Sequence, residues 1–194
     1  QLRGNKDMIC GIDISHHQGQ IDWGSIARDK IPAGPLGEKQ SIRFAFHKAT
    51  EGQTYQDPRY KQNRAEARRA GLFWGAYHII RLDSPGDAKQ EADNFLQTAN
   101  LGPGDLPPIL DIETKWVDAS PPPDVDRLEL IRWLRRVARR SHVKPSIYCS
   151  ARGIRHLEGN VKGLDKYRLW VCDYNTIKPE LPITHEQWLF WQWT

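Results

Sequence analysis

Short apolar runs alternate along this chain with longer segments whose apolar residues recur at helical spacing. The runs that predict β-strands cover residues 8–14, 42–49, 72–80, 107–112, 145–149 and 169–172. Helices are predicted from about residue 21, from Pro58, from about Pro85 and from Asp124, with a short helical turn at 154–157. Strands that alternate with helices in this way indicate a parallel sheet in an α/β fold.

Capping residues mark the ends of the predicted helices. Asp22 is placed to cap the first helix. Asp57 is placed to cap the second, in which Pro58 takes the first position and Gly71 follows the end. In the fourth helix every third residue is apolar, which predicts a buried stripe made of Val125, Leu128, Ile131, Leu134 and Val137.

The alternation changes after Tyr174, where too few residues remain for a helix and two well-spaced strands. Two short strands are predicted there, at residues 181–183 and 188–193. No GxGxxG follows the first strand and no GxxxxGK[ST] occurs, so a nucleotide-binding open sheet lacks its usual signature. A closed barrel is therefore favoured. No linker divides the chain, which predicts one domain over residues 1–194 with 1–7 as an N-terminal extension.

Composition adds limits to this picture. Hydrophobic residues make up 39% and charged residues 27%, as in globular proteins, and no apolar run is long enough to predict a membrane span. The net charge of +4 suits an anionic polymer, whether nucleic acid or bacterial wall. The arginines at helical spacing predict a solvated outer helix face: Arg132, Arg135, Arg136, Arg139 and Arg140.

Cysteine usage and motif spacing do not favour a metal site. Cys10, Cys149 and Cys172 each stand in a predicted strand, where a free thiol behaves as a small apolar group, so buried thiols are expected. Neither CxxC nor HExxH occurs, and we expect no metal and no cofactor.

Acidic residues stand at the ends of three predicted strands: Asp13, then Asp111 with Glu113, then Asp173. The carboxyl ends of parallel strands open on the same face of a barrel, so these acids are expected to converge. Asp111 and Glu113 are two residues apart and therefore point the same way, towards the barrel mouth. Leu110 and Ile112 would then face the helices.

Crowded carboxylates disfavour one another's ionisation, so one of them can remain protonated near neutral pH. A protonated acid beside an ionised one is what glycoside hydrolysis requires. Two other interpretations stay open, a Mg²⁺ or Ca²⁺ site and ordinary solvated acids at strand ends.

Aromatic residues near these acids favour a sugar ligand, because flat rings pack on the apolar faces of sugars. The chain has eight tryptophans. Trp116 follows the Asp111–Glu113 pair, and Trp191 stands in the final predicted strand. Tyr77 and Tyr148, near two strand ends, are placed to reach the same mouth.

Seven segments, in order along the chain, resemble glycoside hydrolase family 25, the muramidases also called Chalaropsis-type lysozymes. They are residues 11–19 (GIDISHHQG), 48–52 (KATEG), 75–78 (GAYH), 105–113 (DLPPILDIE), 144–148 (KPSIY), 169–174 (LWVCDY) and 190–192 (FWQ). Two departures from the family pattern are His17, where an aromatic residue is common, and His47, where an aliphatic one is usual. A histidine on a strand is more often structural than catalytic.

The resemblance implies a flattened TIM-like barrel with five β/α units followed by three strands. It also implies a muramidase that hydrolyses the β-1,4 bond between N-acetylmuramic acid and N-acetylglucosamine. Glu113 would be the proton donor, Asp111 would assist, and Asp13 and Asp173 would line the cleft. The resemblance places Tyr77, Tyr148, Glu51 and Gln192 among the substrate-binding groups.

Expected partners follow from the same resemblance. The partner is bacterial peptidoglycan rather than nucleic acid, and the enzyme is a monomer that is secreted or otherwise delivered to the wall. Asp111 would steer the substrate's acetamido oxygen, or instead activate a water and invert the anomeric centre. A non-catalytic barrel that binds peptidoglycan or chitin-type sugars is the alternative function.

Overall fold

The computed structural model describes residues 9–35, 37–81, 86–112, 124–158, 161–174, 177–179, 181 and 188–194. Its strands are β1 (Cys10–Ile14), β2 (Lys30–Pro32), β3 (Lys39–Glu51), β4 (Tyr55–Gln56), β5 (Phe73–Ile79), β6 (Ile109–Asp111), β7 (Ser146–Ser150), β8 (Arg168–Cys172) and β9 (Trp188–Gln192). Its helices are α1 (Trp23–Arg28), α2 (Tyr60–Arg69), α3 (Asp87–Ala99), α4 (Asp124–Ser141) and α5 (Ala151–Glu158).

Seven strands form one parallel sheet in the order β1-β3-β5-β6-β7-β8-β9, and β2 and β4 pair with β3 in the antiparallel sense. A helix follows each of β1, β5, β6 and β7, and α2 follows the β3–β4 pair, so the five expected β/α units are present. The α/β fold predicted from the sequence is thus confirmed. Of the three final strands expected, β8 and β9 are present, and the one at 181–183 lies mostly outside the described residues.

Apolar side chains pack on both faces of the curled sheet. On its outer face, Leu110 and Ile112 pack with buried helix residues such as Phe95, Trp133 and Leu134, which confirms that these two strand residues face the helices. A smaller cluster fills the inner face: Phe46, Ile109 and Trp170, with Phe44, Tyr77, Leu106, Tyr148 and Phe190 packed against them. The sheet is therefore a flattened half-barrel with apolar packing on both faces.

The inner layer brings distant strands together. The rings of Phe46 on β3 and Phe190 on β9 lie 5.0 Å apart, centroid to centroid. Gly75 on β5 makes room for this packing, because a Cβ there would lie 2.1 Å from the Phe46 ring. Ring packing across the interior thus holds β3, the neighbour of the first strand, close to β9, the last strand of the sheet.

Local signals proved right at some positions and wrong at others. The carboxylate of Asp22 accepts from the Ser25 backbone N–H and caps α1 as predicted. The prediction for Asp57 is wrong, because α2 begins at Tyr60 without a side-chain cap, and the Asp57 carboxylate accepts from the backbone N–H groups of His16 and Arg59.

The predicted stripe of α4 is also wrong at one position. Ile131, Leu134 and Val137 are buried, but Leu128 is 58% exposed. Each step of three residues turns a helix by about 300° rather than 360°, so a strict three-residue spacing drifts off any one face. Val125 lies outside the described side chains.

Two further sequence expectations concern thiols and membranes. Cys10 and Cys149 are buried as expected, whereas Cys172 is only partly buried. Burial raises the pKa of the Cys10 thiol. Within the described residues, none of the helices combines the length and apolar character that crossing a membrane requires.

Candidate active-site cleft

A chain of hydrogen bonds joins β1, β9 and β7 at the carboxyl edge of the sheet. The Gln192 amide donates through Nε2 to Asp13 Oδ2 at 3.0 Å. Its Oε1 accepts from the Tyr148 hydroxyl at 2.6 Å. Side chains from both ends of the sheet thus meet at one rim, as the parallel arrangement of their strands requires.

Asp111 ends β6 beside this chain of hydrogen bonds. It is 5% exposed and pairs in register with Tyr148 on β7. The next residue, Ile112, donates its backbone N–H to the Tyr148 carbonyl at 3.0 Å, which extends the pairing of the two strands. Asp13 and Asp111, from strands that are not neighbours in the sheet, therefore both lie at the carboxyl edge.

Two tyrosines in this cleft remain protonated at neutral pH. Burial raises the pKa of Tyr148, and nearby Cys172 and Asp111 raise it further. Burial also raises the pKa of Tyr174 to about 12, with Cys172 and Asp13 contributing. Both hydroxyls therefore keep their protons, and the proton of Tyr148 is donated to Gln192. Tyr174 was not expected from the sequence, although it directly follows Asp173.

Glu51 lies at the end of β3 between two cations. It forms ion pairs with Lys48 and with Arg81. Burial alone would raise the pKa of Glu51, but the hydrogen bonds from Lys48 and Arg81 outweigh it and the pKa is lowered. The Lys48 ammonium also lies 5.0 Å from the centre of the Tyr55 ring. Glu51 is thus ionised and held in place.

A second group at the rim was missed by sequence reasoning. Asp57 Oδ2 accepts from the His16 backbone N–H at 2.9 Å and lies 2.8 Å from its Nδ1. The Tyr55 hydroxyl lies 3.1 Å from the same Nδ1. Burial raises the pKa of Asp57, but the hydrogen bonds from His16 and Arg59 outweigh it, so the pKa is lowered. The Asp57-Pro58 pair looked like a helix start, which concealed this contact.

Buried histidines support the rim from the helix side of the sheet. His78 lies 2.8 Å from Glu91 and 2.7 Å from the Thr50 hydroxyl. Glu91 also accepts from the Arg81 backbone N–H at 3.1 Å, so it fixes the position of the residue that pairs with Glu51.

His47 is likewise structural. Its Nδ1 lies 2.7 Å from the Lys48 carbonyl and its Nε2 lies 2.9 Å from the Asn63 amide nitrogen. A carbonyl can only accept, so Nδ1 carries the proton and Nε2 accepts. Burial lowers the pKa of His47, in keeping with this neutral form.

The structure describes three of the remaining predicted residues, Tyr77, Asp173 and Trp191. Tyr77 packs in the inner cluster and donates from its hydroxyl to the Ile14 carbonyl at 3.2 Å. Asp173 follows β8, where its backbone N–H donates to the Gln192 carbonyl at 3.0 Å. Trp191 donates from its indole N–H to the Asp173 carbonyl and lies on the opposite face of β9 from Gln192, because side chains alternate along a strand. Glu113 and Trp116 lie outside the described residues.

Over the part of the chain that the structure describes, which excludes Glu113, no three His, Cys, Asp or Glu side chains are grouped so as to hold a metal ion.

Comparison with known proteins gives a consistent result. The sequence model of the family described as glycosyl hydrolases family 25 matches residues 12–194. The chain is 34% identical over 186 residues to the uncharacterized protein YegX of Escherichia coli O6:H1, covering 95% of this chain and 62% of that protein. It is 29% identical over 194 residues to lysozyme M1 of Streptomyces globisporus, covering 96% and 62%. The chain therefore spans less than two thirds of the length of these relatives.

A solved structure agrees in fold. The bacterial lysozyme from Streptomyces coelicolor superposes with a TM-score of 0.80 at 28% identity, covering 97% of this chain and 85% of that one.

Proposed function

The chain belongs to glycosyl hydrolase family 25, and from that premise we propose that it is a peptidoglycan muramidase. It would hydrolyse the β-1,4 bond between N-acetylmuramic acid and N-acetylglucosamine. The observation that carries the proposal is the meeting of Asp13, Tyr148 and Gln192 at one rim, beside buried Asp111. Carboxylates and neutral hydroxyl donors at a strand-end cleft suit a sugar substrate and its oxocarbenium-like transition state.

Glu113 is the proposed proton donor. It follows Ile112, whose backbone is fixed to β7, and it is two residues from Asp111. In the proposed reaction, Glu113 protonates the leaving sugar oxygen and Asp111 orients the substrate's acetamido oxygen towards the anomeric carbon. The burial of Asp111 supports a fixed orienting role, since an enclosed side chain has little freedom to rotate.

The other groups have supporting roles in the proposal. Asp13 and Asp173 line the cleft, and Tyr77, Tyr148, Glu51 and Gln192 bind the sugar. Trp116 offers an aromatic surface to the substrate. Trp191, whose ring is on the other face of β9, would support the β8–β9 edge instead.

The proposed enzyme works as a monomer and meets its substrate outside the cytoplasm, after secretion or another form of delivery. Elution at the monomer mass in size-exclusion chromatography would support the first point, and a dimer mass would contradict it.

The test of the proton donor is the substitution Glu113→Gln. It keeps the side-chain size but removes the acid, so lysis of purified bacterial walls should fall roughly 10²- to 10⁴-fold while the circular dichroism spectrum is unchanged. Glu38→Gln, at an exposed position away from the cleft, is the matched control and should keep its activity. Near-normal lysis by Glu113→Gln would show that another residue is the acid, and an inert wild-type protein would favour a non-catalytic sugar-binding barrel.

The role of Asp111 has its own test. NMR of the first product formed from a soluble glycan oligomer reports the anomer. Retention is expected if the acetamido group attacks, and inversion would mean that Asp111 activates a water instead.

A further inference from the structure

Arginine dominates the outward surface of the second half of α4. At about 100° per residue, its five arginines fall within an arc of about 140°. The opposite side is buried and includes Leu130, Trp133, Leu134 and Val137. We call the outward set the arginine face, and its members are Arg132, Arg135, Arg136, Arg139 and Arg140.

Within the described residues, two of these arginines pair with neighbouring carboxylates. Arg132 pairs with Glu129, and Arg136 makes two hydrogen bonds to Asp93 on α3, at 2.7 and 2.8 Å. Among the residues that the structure describes, the other three form no ion pair. Within the described part of the chain, three of the five positions of the arginine face therefore carry a positive charge that no carboxylate pairs with.

The surroundings extend this positive surface. Exposed Lys144 lies over the ring of Tyr167, with its ammonium 5.3 Å from the ring centre, and exposed Arg168 begins β8 next to it. A groove of about 610 Å³ runs between the ends of α3 and α4 and is bordered by Arg136 and Arg140. This region is at the amino edge of the sheet, opposite the cleft, because helices that follow parallel strands run back towards that edge.

Helix-dipole compensation does not account for the whole arrangement. Basic residues favour the last turn of a helix, which explains Arg139 and Arg140. It does not explain Arg135, more than a turn from the end, because the dipole effect falls off within the last turn. In α2, by contrast, the basic residues Arg64 and Arg68 are both paired with Asp105.

We propose that the arginine face is a docking surface for the carboxylate-bearing stem peptides of the wall polymer, which rests on the proposed function. Guanidinium groups match carboxylates geometrically. Single exposed pairs contribute little, so several must act together along a polymer. Since the face lies away from the cleft, it holds the enzyme on insoluble wall and does not align the bond to be cleaved.

The experiment compares two triple variants of equal charge. Arg135→Gln/Arg139→Gln/Arg140→Gln removes the unbalanced arginines, and Arg43→Gln/Lys61→Gln/Arg69→Gln removes three exposed cations elsewhere. Each is sedimented with purified walls stripped of phosphate polymers, over a series of salt concentrations. The first variant should bind roughly tenfold more weakly at low salt and with a smaller salt dependence, whereas the control stays within about twofold of wild type.

Chemical amidation of the wall carboxylates should reduce wild-type binding to the level of the arginine variant. Equal binding by the two triple variants, whether at the wild-type level or below it, overturns the proposal. So does wild-type binding that survives amidation, or wild-type binding that is lost when the phosphate polymers are stripped from the walls. Hydrolysis of a soluble glycan oligomer separates this outcome from failure of the proposed function. The arginine variant should cleave it within about twofold of wild type, because single exposed pairs contribute little and the cleft is untouched. If wild type does not cleave it, the function fails while the binding comparison still stands.

Discussion

At the scale of single residues, the amide of Gln192 has a requirement that few side chains meet. It must donate to a carboxylate on one side and accept from a hydroxyl on the other. A primary amide carries an N–H donor and a carbonyl acceptor on separate atoms of one neutral group, and β9 places Gln192 within hydrogen-bond distance of both partners. The cleft geometry of Asp13 and Tyr148 therefore depends on this one residue.

Gln192→Glu tests this dependence at constant size. A second carboxylate beside Asp13 should raise the pKa of Asp13, because like charges disfavour ionisation. The acid limb of the pH profile of kcat/KM should then move up by about one pH unit. Gln90→Glu, exposed on α3, is the control and should leave the profile unchanged. An unaltered profile in Gln192→Glu would mean that ionised Asp13 is not needed.

At the scale of elements, α4 carries two leucines that differ in burial. Leu134 is fully buried against the sheet, whereas Leu128 lies on the outward side beside the arginine face. Leu134→Ala should lower the free energy of unfolding by about 2–5 kcal/mol through the lost contacts and the cavity left behind. Leu128→Ala should change it by less than about 0.5 kcal/mol. Urea denaturation of both variants measures the difference, and equal losses would contradict the assigned orientation of α4.

Elements were predictable where the signal was local. The β/α alternation, the cap at Asp22 and the outward and inward sides of β6 all follow from residue spacing. β3 extends beyond the predicted 42–49 because its ends pair with β2 and β4, which have too few residues to give a pattern of their own. Asp57 satisfied the local rule for a helix cap, but its partner His16 is 41 residues away.

The site was predictable only in part for the same reason. Strand-end acids can be read from the sequence, since their position depends on where a strand stops. The bond between Gln192 and Asp13 spans 179 residues and arises from the curl of the whole sheet. No local pattern reports such a contact.

At the scale of the whole molecule, two buried imidazoles link stability to pH. Burial lowers the pKa of His47 and of His78 from the ordinary value of 6.5. For His78 burial outweighs Glu91 and Glu51, which favour the charged ring, while Lys48 adds to the lowering. The unfolded chain therefore takes up more protons below about pH 6.5 than the folded one does.

Stability should accordingly be greatest above pH 6.5 and fall as the pH drops from about 6.5 towards 5, by up to about 1.4 kcal/mol per pH unit for each ring. Urea denaturation at about pH 7.5 and about pH 5.5 measures this change in the free energy of unfolding. His142→Gln, at an exposed position, should keep the slope, whereas His47→Gln should reduce it. A flat profile would contradict neutral buried imidazoles.

The bridge from Gln192 to Asp13 also has a consequence for biosynthesis. As the nascent chain leaves the ribosome, Asp13 emerges early. Its partner Gln192 is the last residue of β9 and emerges much later. Products that stop after β8 would carry most of the acids but no completed cleft. The cleft that the proposed activity requires is therefore complete only once β9 has been translated.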